Sequence, residues 1–334
     1  MNEKGGALGR SIEFVIYDDR SDERTAIQLY EKLISEDKVD AVLGPYSTPI
    51  TDAVADVTEK HRKLMIAPMA ATTSLWEKGR RYLIMVLSPF EVFSEGLMEL
   101  AARSGLKTIA LVNEDAIVPK TVVKGALESA KKRRFEVVLH EVYPTGTADF
   151  AVTLNKVKAA KPDVLMVGAL PDDAVAITRQ LKELDINVTM LNITPGGLVP
   201  EYYNKLGKAG EFVYSGSWWE RGLPNPGNKE FVEAYEKEYS RAPVFHSADS
   251  YVACQLLVAA ARRVGSMDSD KIREDILKLR TKTLYGDFAV DERGFQVGQK
   301  AVTVQWQDGK RVAVWPDEVA AGKPRFPTPP WSGR

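Results

Sequence analysis

The sequence predicts an α/β protein made of two parallel-sheet lobes. Three observations carry that expectation. Short apolar runs alternate with amphipathic stretches along most of the chain, the pattern of strand and helix layers. The runs are apolar throughout, as in AVLG (41–44) and LMIAP (64–68), which suits strands buried on both faces of a parallel sheet. The 334 residues exceed what one core usually organises, and two strand–helix series of similar length follow one another.

Taken in order, SIEFVIYDD (11–19) reads as a strand ending in an acidic turn, and Asp22 as the cap of helix 23–37. AVLG is the next strand. The helix after it carries Ala53, Val54 and Val57 at helical spacing, with charges elsewhere. LMIAP follows, then a polar turn at 76–80 and the strand YLIMVLS (82–88). Ser88-Pro89 breaks that strand, and 90–104 reads as a helix. The second series gives strands at 108–114, 135–144, 162–169, 189–195 and 212–219, with helices at 119–134, 149–160 and 171–185. Helices at 228–239, 247–264 and 271–279 come next. The late strands are FAVDE (288–292) and AVTVQWQDG (301–309). The second alternates with period two and so predicts a half-exposed strand. The tail GKPRFPTPPW is Pro-rich and extended.

Composition excludes several functions. Lys+Arg is 45 against Asp+Glu 46, so no electrostatic argument favours nucleic acid or an anionic membrane. The one cysteine, Cys254, excludes an internal disulfide, and its setting YVACQLLVAA reads as a buried helix. No apolar stretch reaches about 18 residues. The polar start MNEKGGALGR does not read as a secretory signal.

Catalysis has little to stand on. His61, His140 and His246 are not spaced for a shared metal, and each has a solvated or capping reading. Asp18-Asp19 and Asp172-Asp173 suit turns and helix starts better than acid–base work. Neither GxGxxG nor GxxxxGK[ST] occurs. The expectation is a protein that is not an enzyme, with no metal and no cofactor. Binding fits better. In an open parallel sheet, ligands sit beyond the carboxyl ends of strands. The turns GPYST and MAATT put Tyr46, Ser47, Thr48, Ala70, Ala71, Thr72 and Thr73 at one such rim. They contain no Lys, His, Cys, Asp or Glu, which suits a surface that holds a molecule by hydrogen bonds without converting it.

A resemblance extends this reading. YDDRSD (17–22), AIQLYEKLISEDKVDAVLGPYST (26–48) and MIAPMAATT (65–73) resemble the solute-binding proteins of ABC importers, type I, leucine/isoleucine/valine-binding group. So do IALVNEDAIVPKTVVKGA (109–126), 148–186 and 230–260, nearly the whole chain in order. The resemblance implies two Rossmann-like lobes, 1–87 plus 219–298 and 88–218 plus 299–334. They are joined by three crossovers near 86–89, 214–218 and 299–305, and they close on a solute in the cleft. It implies periplasmic or extracellular location, including a cell-surface lipoprotein, a monomer, and ABC permease subunits in the membrane as partners. It also implies a strand and helix ahead of residue 11 that are missing here, leaving a gap between 11–18 and 41–44. The alternative use of this fold is the ligand-sensing domain of a regulator or receptor.

By the same resemblance, Thr48 and the turn Ala70, Ala71, Thr72 bind a ligand carboxylate, with Thr73 able to take the role of Thr72. On the second lobe the pattern departs. Val118 and Leu170 (or Ala169) stand at aromatic positions, and Thr194-Pro195 near the acid that pairs with a ligand ammonium. Glu114, Asp115 or Asp172 are the candidate substitutes for that acid. Trp218 or Trp219 is placed to stack on a flat ligand, and Tyr251 lies on a helix approaching the cleft. The implied solute is small and contains a carboxylate or an amide: a neutral or branched-chain amino acid, or an aromatic or aliphatic acid.

Overall fold

In the computed structural model, which describes residue 2 and residues 5–334, the chain forms two units. Unit 1 is Met1–Pro89 with Pro224–Lys300, and unit 2 is Phe90–Leu223 with Ala301–Arg334. Met1, Glu3 and Lys4 of the polar start lie outside the described residues.

Unit 1 begins with helix α1 (Glu23–Ser35), whose cap is the expected one: the Asp22 carboxylate accepts from the Thr25 amide at 2.8 Å. Strand β1 (Val42–Leu43), helix α2 (Thr48–Lys60), strand β2 (Met65–Ala67) and strand β3 (Leu83–Met85) follow. The three strands form a parallel sheet in the order β1-β2-β3, with Leu43 beside Ile66 and Ile66 beside Ile84. Leu64, Met65, Ile66 and Ala67 are fully buried, as a strand covered on both faces requires. The stretch 76–80 is less of a polar turn than its charges suggest. Its first three residues belong to a 3-10 helix (Thr73–Lys78) whose Trp76 is buried and donates its indole N–H to the Leu83 carbonyl.

Residues 11–19 are the main departure from the sequence pattern, since they join no strand. A groove of about 990 Å³ lies between them and β1, lined also by Leu29, Tyr30, Leu33, Cys254 and Leu257. Strand geometry needs a partner at hydrogen-bonding distance. Without one, Phe14 and Ile16 are left 63% and 81% exposed. The groove is on the side of β1 where the family resemblance places another strand. Asp18 and Asp19 accept from the Arg20 and Ser21 amides at 2.8 Å, a local turn role.

Unit 2 starts with a 3-10 turn (Phe90–Ser94) that continues as α3 (Glu95–Arg103). Then come β4 (Thr108–Glu114), α4 (Ile117–Lys132), β5 (Glu136–Tyr143), α5 (Ala151–Ala160), β6 (Val164–Ala169), α6 (Pro171–Glu183) and β7 (Met190–Pro195). The short helix α7 (Pro200–Leu206), which the sequence reading lacks, precedes β8 (Tyr214–Ser217).

The chain returns to unit 1 through α8 (Asn228–Tyr239), α9 (Phe245–Val264), α10 (Ser269–Lys278) and the antiparallel pair β9 (Arg280–Thr283) and β10 (Gly286–Ala289). It finishes unit 2 with β11 (Val302–Gln307) and β12 (Lys310–Trp315). The unit 2 sheet has seven strands in the order β12-β11-β8-β7-β6-β4-β5, parallel from β5 to β8 and antiparallel beyond. Its core holds Val112, Val167, Ile177, Ile193 and Tyr202.

The alternation in β11 does not expose a face. All six of its residues are buried, because β8 and β12 flank it and the tail covers it. Its polar positions are satisfied internally: the Gln305 amide donates to the Phe212 and Arg325 carbonyls, and Gln307 donates to Gln305 and to the Lys323 carbonyl. No helix among the described residues is long and apolar enough to cross a membrane.

Candidate functional site

Each unit presents the carboxyl ends of its parallel strands as a rim, and the two rims differ in chemistry. In unit 1, β1 is followed by Gly44, whose lack of a side chain matters: a Cβ there would meet Ala67 Cα at 3.1 Å. The chain then turns through Pro45 and Tyr46 into α2. Ser47 caps that helix, accepting from the Ile50 amide at 3.2 Å, and Thr48, 5% exposed, is its first residue. A helix start carries unpaired amides and partial positive charge. β2 ends at the second turn, where Ala70 and Ala71 are fully buried and Thr72 is 4% exposed. The Thr72 hydroxyl has no hydrogen-bond partner, while Thr73 opens the following 3-10 helix. A buried hydroxyl without a partner costs roughly 1–3 kcal/mol, so such a group asks for an explanation.

Tyr46 stands out from this rim, 68% exposed, its ring 5.2 Å from that of His246 at the start of α9. Tyr251, one turn further along α9, is 39% exposed and lies against Phe231 at 5.0 Å. Between them sits a residue that sequence reading passes over. Asp249 is fully buried, both carboxylate oxygens lack partners, and burial pushes its carboxyl well above the usual range. The available signal was an acid inside the apolar run of α9.

In unit 2, neighbouring strand ends place Glu114 of β4 level with Tyr143 of β5, and Asn113 level with Gly168 of β6. The three acids named from the sequence part company here. Asp115 is ion-paired to Lys120, and Asp172 to Lys205 at 2.9 Å, both on the surface. Glu114 is 3% exposed, and its Oε2 has no partner. Beside it the Tyr143 hydroxyl is buried and closes no hydrogen bond of good geometry. Burial, followed by the charge of Asp173 and then of Glu114, pushes that hydroxyl upward. Burial likewise raises the Asp173 carboxyl, and Tyr143 beside it holds the rise back. Tyr143 and Asp173 carry no motif that would single them out in the sequence.

The other residues named for the second lobe are placed as follows. Val118 is half-buried in the first turn of α4, and Leu170 is 41% exposed at the cap of α6. Thr194 is fully buried near the end of β7. Its hydroxyl donates to Asn192 Oδ1 at 2.9 Å and accepts from the Gly216 amide at 3.1 Å. Trp218 is 2% exposed, with its ring 4.8 Å from Phe90 and 4.5 Å from Phe93. Trp219 is buried as well.

Known proteins share this architecture. A "Leu/Ile/Val-binding protein homolog 7" of Brucella suis is 26% identical over 98% of this chain and 86% of its own. The crystal structure of a leucine-binding protein from Thermotoga maritima superposes with a TM-score of 0.82 at 23% identity, covering 95% of this chain and 92% of that one. An ABC-transporter solute-binding protein of R. palustris, solved in complex with benzoate, gives 0.79 at 21% identity over 96% and 91%. The family described as periplasmic binding protein matches residues 1–311. With nearly the whole chain inside that match and the fold in agreement, the chain belongs to the periplasmic binding protein family.

Proposed function

We propose that this chain is the solute-binding component of an ABC importer, working outside the cytoplasm. It takes a small organic solute bearing a carboxylate, closes its two lobes on it and hands it to membrane permease subunits. It performs no catalysis. The observation that carries the reading is the buried, unpartnered Thr72 hydroxyl at the end of β2, together with Thr48 at the start of α2. A carboxylate there would meet a hydroxyl in need of a partner and the amides of a helix start, whose dipole favours negative charge. The relatives support the class of solute, since those above are named for leucine, isoleucine and valine or were solved with benzoate.

The test is a thermal-shift screen of amino acids, amides and aromatic acids, followed by calorimetry. A true ligand at a hundred times its dissociation constant should stabilise the folded chain by about 2.7 kcal/mol. Thr72→Val and Thr48→Val should each weaken binding by roughly 1–3 kcal/mol while leaving the ligand-free melting temperature in place. Unchanged affinity in both variants would remove the unit 1 rim from the site.

A further inference from the structure

Residues 323–330 belong to no helix or strand, and the tail they form lies on unit 2 as a bound peptide lies on its receptor. Side chains of the unit hold its backbone. The Gln305 amide accepts from the Arg325 N–H at 2.8 Å and donates to the Arg325 carbonyl at 2.8 Å. Gln307 donates to the Lys323 carbonyl at 2.9 Å, and Asn187 to the Thr328 carbonyl at 3.0 Å. The Thr328 amide donates to the Thr189 carbonyl at 3.0 Å, and the Trp331 indole to the Ile186 carbonyl at 2.9 Å. Lys323, Phe326, Pro327 and Pro330 are exposed, and Arg325 pairs with Asp308 on the surface at 2.7 Å. Pro324, Pro327, Pro329 and Pro330 bring no N–H, and an extended Pro-rich segment leaves its carbonyls free to be read. The surface beneath is polar, so uncovering Gln305, Gln307 and Asn187 gives them to water instead of baring a core. Trp331 is the anchor, packed against the core of unit 2.

We propose that Ile186, Asn187, Thr189, Gln305 and Gln307 form a peptide-binding site, and that its second occupant is the tail of another copy of this chain. The bonds that hold residues 323–331 within one molecule serve the same segment from a second. Reciprocal exchange fills both sites and makes a tail-swapped dimer. The tether through residues 316–322 favours the chain's own tail, with an effective concentration on the order of mM. Exchange therefore needs concentrated protein or a tail that no longer fits its own site. The site lies at the amino end of β7, away from the strand ends of the solute rim, and does not depend on the solute-binding reading.

Two full-length variants test this by complementation. Gln305→Leu with Gln307→Leu spoils the site and keeps the tail, while Arg325→Pro with Trp331→Ala spoils the tail and keeps the site. By gel filtration with light scattering, each alone should be a monomer, and their equimolar mixture should form a 1:1 dimer. Excess synthetic peptide of residues 322–334 should return the mixture to monomers. A mixture of folded variants that stays monomeric, or a dimer the peptide leaves intact, overturns the proposal. A second measurement needs no altered site: the full chain with a protease site inserted between Ala320 and Ala321. After cutting, residues 321–334 should stay with the body and exchange with labelled peptide, and Gln305→Leu should weaken that peptide by about 10-fold. A tail lost on cutting shows that the surface does not bind it unaided. A tail that stays and never exchanges shows that it is a fixed part of the fold. Either result overturns the proposal.

Discussion

The two units were built from the same alternation of strand and helix, yet one sheet is filled and the other opens onto a groove. In unit 2, seven strands run from β12 to β5, and β4 has neighbours on both sides. In unit 1, three short strands stop at β1, and the next stretch with strand character, residues 11–19, stays outside any ladder. Propensity does not explain the difference. EFVIY at 13–17 is as rich in β-branched and aromatic residues as IALV at 109–112. The difference is a neighbouring backbone. IALV lies between β5 and β6, whereas EFVIY faces about 990 Å³ of groove. A strand is therefore a property of a pair, and sequence pattern supplies only one half of it.

The largest expected effect lies in the filled sheet. Leu111 is fully buried at the middle of β4. Leu111→Ala should cost about 3–5 kcal/mol in denaturant unfolding, because strands on both sides limit collapse around the cavity. A cost below about 1.5 kcal/mol would mean that the unit 2 core is as loosely bounded as the groove side of unit 1.

A buried carboxyl from each unit, Glu220 and Asp249, gives a sharper contrast. Glu220 in unit 2 is paired with Arg311 at 3.3 Å and bonded by the Ser217 hydroxyl at 3.2 Å. Burial raises its carboxyl, and Arg311 opposes that rise. Glu220→Gln leaves the Arg311 guanidinium without its counter-charge and should destabilise unit 2 by about 3 kcal/mol. Asp249 in unit 1 has no such partner, so Asp249→Asn should stabilise unit 1 by about 1–2 kcal/mol at neutral pH.

The pH dependence follows with a definite sign. The Asp249 carboxyl is raised in the folded chain, so the folded state binds more protons than the unfolded state. Its contribution is fully present below the unfolded value, about 4, and is lost as pH rises through the folded value, with a slope of at most about 1.4 kcal/mol per pH unit. The Asn variant should lack that decline. Equal pH profiles for wild-type and variant would show that Asp249 has a partner after all.

What is legible in the sequence follows the same division. The strands β4 and β6 are legible because each holds a continuous apolar run bounded by turn residues, and a parallel sheet buries both faces. β11 reads as half-exposed because Thr303, Gln305 and Gln307 look like a solvent face, while the partners of the two glutamines, Phe212, Lys323 and Arg325, are remote in sequence. The candidate site divides likewise. Thr48 and Thr72 are legible as hydroxyls in turns after strands. Asp249 and Tyr143 stand out through burial and unmet hydrogen bonds, which depend on chain segments far away. Glu114 stands in the sequence beside Asp115 and Asp172, and its burial, with the lysines that pair the other two on the surface, separates it from them.

The smallest expected effect tests the comparison most directly. Ile16 is an apolar residue in a strand-like sequence, and it is 81% exposed. If residues 11–19 lie outside the sheet, Ile16→Ser removes almost no buried area and should change stability by less than about 0.5 kcal/mol. The amides of residues 12–17 should then exchange with solvent far faster than those of β4, since no ladder protects them. A stretch paired to a neighbour would behave otherwise. The substitution would cost on the order of 1–3 kcal/mol, and protection would approach that of the core. That pair of results would mean that residues 11–19 have found a backbone partner in solution, and the contrast between an open and a filled sheet would no longer hold.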